Sequence, residues 1–168
     1  MREYTRTQTF VANLPYAAMV MMGAVLIARA SGFPTWALAG ALGYLAYGIA
    51  GALWIMVFIC PYCSYYDTRG CPCGYGVLSA RFVRKGGQEC FAEKFRWHIP
   101  VIVPLWLIPV GCGAWSLSRG YTSGLAGLLA AFVVNSYVIL PLVSRRHGCS
   151  ECPQKEGCPW MARGSPPG

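Results

Sequence analysis

Cys60-Pro61-Tyr62-Cys63, Cys71-Pro72-Cys73 and Cys149-Ser150-Glu151-Cys152, with Cys90 and Cys158 near them, put eight of the nine cysteines of this chain into two short polar stretches. A Cys-x-x-Cys turn aims two sulfurs at one point and directs the intervening amides toward them, a geometry shared by zinc knuckles and iron–sulfur clusters. Two such pairs with further thiols beside them point to a bound metal. Its candidate ligands are Cys60, Cys63, Cys71, Cys73, Cys90, Cys149, Cys152 and Cys158, enough for two four-thiolate centres or for one centre with thiols to spare. Cys60, Cys71, Cys152 and Cys158 each precede a proline, which fixes the next backbone φ and contributes no donor. Bacterial ferredoxin motifs also close on Cys-Pro, and the similarity ends with that dipeptide. Cys112 lies inside an apolar run and reads as a small buried hydrophobe.

Both polar stretches leave the ends of long uncharged runs. Of the 168 residues, 55% are hydrophobic and 12% charged, too apolar a balance for an ordinary soluble domain. Charge is missing over about 14–28, 33–61, 99–118 and 120–144, each long enough or nearly so to cross roughly 30 Å of hydrocarbon. The predicted fold class is an all-α integral membrane protein: a four-transmembrane-helix bundle with a cysteine-rich cytoplasmic cap made from the central loop and the C-terminal tail. Its divisions are an N-terminus at 1–13, a helical hairpin at 14–59, the cysteine-rich loop at 60–97, a second hairpin at 98–143 and the tail at 144–168.

Orientation follows from Lys and Arg, which stay on the cytoplasmic side of a span. Arg2, Arg6, Arg69, Arg81, Arg84, Lys85, Lys94, Arg96, Arg145, Arg146, Lys155 and Arg163 fall on one side, and only Arg29 and Arg119 on the other. Both termini and the thiols are therefore predicted in the cytoplasm, beneath the inner membrane of a prokaryote, where disulfides do not persist. The net charge of +8 reads as topology and attraction to anionic lipid. No nucleic-acid partner is expected, because the basic residues hug span ends and form no stripe.

Within the spans, Gly40, Gly43, Tyr47 and Gly51 share one helix face, and Gly124, Gly127 and Ala131 another; such stripes let helix backbones approach closely in lipid. Pro100, Pro104 and Pro109 withhold donors in successive turns of the third run. That helix is expected to bend or to begin late, with its freed carbonyls covered by neighbours or facing a cavity, the candidate wall for a lipid-soluble ligand. Asn135, deep in the fourth run, is the candidate cofactor contact, donating to a quinone carbonyl, with a bond to another helix as the alternative. Met19, Met21, Met22 and Met56 suit either a soft-metal path or ordinary apolar packing. Two segments, VLSARFVRK and QECFAEKFRW, are amphipathic; Phe91, Phe95 and His98 share a face of the second, which is expected to lie on the membrane surface.

Other chemistries find little support. No Ser-His-Asp set, phosphate-binding glycine loop or paired catalytic carboxylates can be found. The six acidic residues, Glu3, Asp67, Glu89, Glu93, Glu151 and Glu156, all lie in water-facing segments. A bis-histidine haem would need both His98 and His147, the only two histidines. Four-span thiol oxidoreductases of the vitamin K epoxide reductase kind combine a small bundle with Cys-x-x-Cys but use disulfides outside the cytoplasm, against the sidedness predicted here. The expected function is an integral-membrane iron–sulfur subunit, with one or two clusters of the four-iron type, relaying electrons between a cytoplasmic redox protein and a quinone or another membrane subunit. Aromatic residues around the thiols, Tyr62, Tyr65, Tyr66, Tyr75 and Trp160, lean toward that reading. The alternatives are a zinc-clasped anchor or assembly protein that docks a cytoplasmic partner, and a soft-metal transporter.

Overall fold

Thr5 and Gln8 cap the first helix reciprocally: the Thr5 amide donates to Gln8 Oε1 at 3.0 Å and the Gln8 amide to Thr5 Oγ1 at 3.3 Å. Helix α1 (Arg6–Ala30) therefore starts well before the apolar run that begins at Leu14. Helix α2 (Pro34–Phe58) opens on a proline, whose missing N–H is no loss in a first turn. Then come a short α3 (Tyr75–Ser79), α4 (Phe91–His98), α5 (Pro104–Arg119), α6 (Ser123–Val134) and α7 (Leu140–Val143). These elements belong to a computed structural model that describes residues 3–30, 34–120, 122–150 and 152–161, and among the described residues there is no strand.

Four continuous helical runs, Arg6–Ala30, Thr35–Tyr62, Gln88–Arg119 and Ser123–Arg146, are long and apolar enough to cross a membrane. Phe10, Leu42, Ile49, Leu107 and Val138 are exposed on them. In the third run a 3₁₀ turn at Ile99–Ile102 carries α4 directly into α5, which begins late, at Pro104, as the prolines lead one to expect. The tighter turn takes the chain past Pro100 and Pro104 without the i−4 bonds they cannot make. The VLSARFVRK segment contributes only the end of α3 and the turns after it.

The chain divides into two compact units. One comprises Leu14–Gly51 and Val101–Pro141; the other comprises Met1–Asn13, Ala52–Pro100 and Leu142–Gly168 and holds every cysteine except Cys112.

In the first unit α1 and α2 run antiparallel in close contact. The Tyr16 hydroxyl donates to the Gly48 carbonyl at 2.7 Å, Val20 lies on Gly48, and Ile27 lies on Gly40. Gly23 admits the Tyr44 ring so closely that a Cβ there would stand 2.5 Å from it. The tight approaches thus use Gly23 and Gly48, whereas Gly43, Gly124 and Gly127 have nothing within 4 Å of a would-be Cβ. Buried Tyr44 also donates to the Leu105 carbonyl at 2.6 Å. Leu105 lies four residues before Pro109, so this is the carbonyl which that proline leaves without a donor. The Tyr47 hydroxyl donates to Val101. Trp106 Nε1 donates to the Ser136 carbonyl at 3.2 Å, and Gly113 packs on Leu129, joining α5 to the fourth run.

Asn135 closes the ring, its Nδ2 donating to the Pro15 carbonyl at 2.9 Å. It opens a π-helical stretch, Asn135–Ile139, in which the Leu140 amide reaches back to the Asn135 carbonyl. Pro141 has no N–H for the carbonyl four residues before it, and the wider turn absorbs the mismatch.

Replacing Tyr44 by Phe strands the Leu105 carbonyl and is expected to cost about 1–3 kcal/mol, measured by unfolding in detergent. Pro109→Ala supplies the missing amide, so the cost of Y44F should shrink in that background. An equal cost in both backgrounds would show that Tyr44 stabilises by packing alone.

Candidate metal centre

Four Cys-Pro dipeptides start four turns of one build. In each, the amide three residues on donates to the cysteine carbonyl: Cys63 to Cys60 at 3.1 Å, Gly74 to Cys71 at 3.1 Å, Lys155 to Cys152 at 3.1 Å and Met161 to Cys158 at 3.0 Å. Proline at the second position of such a turn is pre-set for the required φ. Cys149 begins another such turn, accepting from the Cys152 amide at 3.2 Å, so both Cys-x-x-Cys segments close in the same way. Their second cysteines also receive equivalent donors. The Tyr65 amide is directed at the Cys63 sulfur and the Gln154 amide at the Cys152 sulfur, each from two residues on. Gly76 N–H reaches the Cys71 sulfur at 3.4 Å.

The sulfurs fall into two groups. In the central loop Cys60 lies within electrostatic reach of Cys71, Cys63 and Cys73, and Cys63 and Cys73 each within reach of Cys71. In the tail Cys149, Cys152 and Cys158 are mutual neighbours. Cys63 bridges to Cys152 and Cys158, and Cys73 to Cys149. Seven of the eight candidate ligands are thus electrostatically connected. Cys90 enters none of these pairings; it sits at the entry to α4, beside a recess lined by Gln88, Phe91, Gln154 and Gly157. All nine cysteines are unpaired. Among the described residues no three Cys, His, Asp or Glu groups are drawn together at metal-holding distance, so the thiols are gathered without being closed around a point. Glu151, Arg163 and the side chain of His147 lie outside the described residues.

Residues that sequence reasoning passed over position the thiols. The Gln154 side chain accepts from the Ser64 amide at 2.9 Å and donates to the carbonyls of Tyr62 and Gln88, both at 3.2 Å, fastening tail to loop. Asn13 Nδ2 donates to the Cys73 carbonyl at 3.1 Å and to Thr9 at 2.8 Å, tying the loop to the start of α1. Gly76 has no room for a side chain: a Cβ would stand 2.3 Å from the Tyr65 carbonyl oxygen. A glycine inside a short helix, where almost any other residue would be a better helix former, is a visible signal for such a close approach. Nothing in the sequence marks Gln154 or Asn13. Of the aromatic residues, Tyr65 is buried, Tyr66 donates to the Val83 carbonyl at 2.6 Å, and Lys94 lies over the Tyr62 ring at 5.8 Å.

Burial dominates the electrostatics. It pushes the Cys63 and Cys73 thiols up to about 12 and Cys149 to about 11, and raises Cys152 as well; neighbouring sulfurs add to it, while the Tyr65 and Gln154 amides work the other way. At neutral pH these thiols are protonated and uncharged, which permits their crowding. A metal must expel those protons, so its affinity rises with pH.

No protein-family model, curated protein or solved structure matches the chain.

At pH 8 in the metal-free protein, Cys63 and Cys73 should carry about a thousandth of the thiolate of a thiol at the ordinary 9.0. Their alkylation should accelerate with pH up to about 12; levelling off near 9 would refute burial of the cluster. Gly76→Ala forces a methyl group against a backbone carbonyl and is expected to speed Cys71 alkylation several-fold, read by mass spectrometry.

Proposed function

We propose that this protein is an integral-membrane iron–sulfur electron-transfer subunit. It relays electrons between a cytoplasmic redox protein and a quinone or another membrane subunit. The observation that carries the reading is the gathering of seven thiols from loop and tail, on turns of a single build, with backbone amides directed at three of the sulfurs. Amide donors to sulfur and exclusion of solvent are the means by which a protein sets the potential of a thiolate-held cluster. Cys60, Cys63, Cys71 and Cys73 form the four-thiolate set from the central loop, and Cys149, Cys152 and Cys158 serve a second centre. The four apolar runs insert in the inner membrane of a prokaryote, and the distribution of Lys and Arg puts both termini and the cysteine-rich cap on the cytoplasmic side. The basic cytoplasmic face suits anionic lipid and an acidic redox partner. A quinone acceptor takes up two electrons and two protons, so two successive one-electron transfers reduce it.

A second reading is favoured by the Gln154 fastening. The same loop tetrad holds zinc, and the metal acts as a structural clasp between loop and tail in a protein that docks a cytoplasmic partner.

Anaerobic purification separates the two. Broad visible absorption with stoichiometric iron and acid-labile sulfide is the expected result; a colourless protein retaining zinc would establish the clasp instead, and a protein holding neither metal would overturn both. Membrane-impermeant thiol labelling of intact cells should leave the cap cysteines unmodified. Disulfide-paired cysteines accessible from outside would refute the topology.

A further inference from the structure

Two contacts hold parts of the cysteine-bearing unit beside the last turn of α2. The Ser79 hydroxyl donates to the Met56 carbonyl at 2.6 Å. The His98 ring stacks on Phe58 with centroids 4.8 Å apart, and Trp54 stands edge-on to it at 5.7 Å. Helix α2 ends at Phe58, so α3 and the end of α4 both lie where an apolar run gives way to polar chain. Each leaves a large ring uncovered there: Phe82, just after α3, is 78% exposed, and Trp97 in α4 is 75% exposed. The Phe82 and Val83 amides donate to the Ser79 carbonyl at 3.0 and 2.9 Å, so the helical path continues past α3, and Leu78, four residues before Phe82, is exposed as well. Leu53 and Val57 in the final turns of α2 are also exposed. Cations flank the two rings. Arg81, Arg84 and Lys85 surround Phe82, Arg96 precedes Trp97, and all four are exposed. Among the described residues none of these four side chains has a hydrogen bond or an ion pair.

We propose that Phe82 and Trp97, with Arg81, Arg84, Lys85 and Arg96, form a binding surface for anionic phospholipid. The rings seat at the boundary between acyl chains and headgroups, and the cations reach the headgroup phosphates. The inference rests on the membrane insertion proposed above and on nothing said of metal. Rings uncovered in water forgo the gain of burial, and aromatic side chains with basic residues at a span end are the composition of a membrane interface. The net charge of +8 would draw the protein to an anionic membrane without saying where. This surface localises the attraction: residues 78–85 carry three cations and no carboxylate. Tyr66 donates to the Val83 carbonyl at 2.6 Å and the Gly86 amide to the Pro61 carbonyl at 3.0 Å. Lipid bound to this segment therefore holds the loop that carries Cys60 and Cys63 at the membrane surface.

The test titrates phosphatidylglycerol or phosphatidylcholine into the full-length protein in detergent at low salt and reads bound lipid by native mass spectrometry, with helical content checked by circular dichroism. Wild type should hold phosphatidylglycerol about tenfold more tightly than phosphatidylcholine. Each cation removed is expected to weaken the anionic lipid about fivefold, so R81Q/R84Q should lose more than tenfold while phosphatidylcholine binding stays unchanged. F82A/W97A should weaken both lipids alike, several-fold. R69Q/K155Q removes the same charge from exposed positions outside the surface and should stay within about threefold of wild type. Should R81Q/R84Q fail to fold, K85Q/R96Q repeats the comparison. Equal affinity of wild type for the two lipids would overturn the proposal and leave the surface to an acidic protein. A loss in R69Q/K155Q as large as that in R81Q/R84Q would also overturn it, since net charge alone would then account for the binding. Wild type recovered in the soluble fraction without detergent would sink the membrane reading itself, a result seen before any lipid is added.

Discussion

Thiols from chain segments about ninety residues apart come together because the tail is fastened to the loop, and the fastening runs through Gln154. Its carboxamide engages one amide and two carbonyls across sequence separations of 66 to 92 residues. Each bond replaces one to water and contributes modestly alone, yet all three originate from one side chain whose rotamer entropy is lost once. Its backbone amide, meanwhile, is directed at the Cys152 sulfur. One residue therefore holds the tail in place and also donates to a candidate ligand. Burial keeps these thiols protonated, and uncharged sulfurs can crowd without repelling one another. On the proposed metal reading, the Tyr65, Gly76 and Gln154 amides would be donors to the thiolates then formed.

A different constraint organises the unit built from Leu14–Gly51 and Val101–Pro141. A carbonyl that a proline has left unpaired among packed apolar helices has no water to turn to, so it must be met from within the protein. Tyr44 meets the one vacated by Pro109, and the π-helical stretch beginning at Asn135 adjusts the backbone ahead of Pro141. Tyr16, Tyr44, Tyr47 and Asn135 all spend their polar groups on backbone carbonyls. The Asn135 amide donates to the Pro15 carbonyl, so in this structure it joins two helices.

The four apolar runs and the Cys-Pro turns could be read from the sequence because both are local. Hydropathy accumulates along the chain, and proline fixes a turn within a few residues. The capping box at Thr5 and Gln8 was equally local and explains why α1 begins ahead of its apolar run. Periodicity correctly marked α4 as amphipathic, but it reports which face is apolar and not whether the helix continues. The 3₁₀ turn that joins α4 to α5 is a backbone adjustment to two prolines, invisible to any count of hydrophobic residues. Glycine stripes gave an ambiguous signal for the same reason. Which glycine meets a neighbour depends on helix rotation, and here Gly23 and Gly48 meet side chains while Gly124 and Gly127 do not. Tyr44 with Leu105, Asn135 with Pro15 and Gln154 with Tyr62 are separated by 61, 120 and 92 residues, and only the fold pairs them.

The placement of Cys90 bears on how many centres the thiols can complete. Eight cysteines permit two four-thiolate sets, but only seven are connected, and Cys63 neighbours both the loop group and the tail group. A terminal thiolate counted in the loop tetrad leaves Cys149, Cys152 and Cys158 with three sulfurs and one open position. On the proposed metal reading, a tail centre would take its fourth ligand either from Cys90, at the entry of α4 two residues after the Gln88 that is bonded to Gln154, or from outside the thiol set.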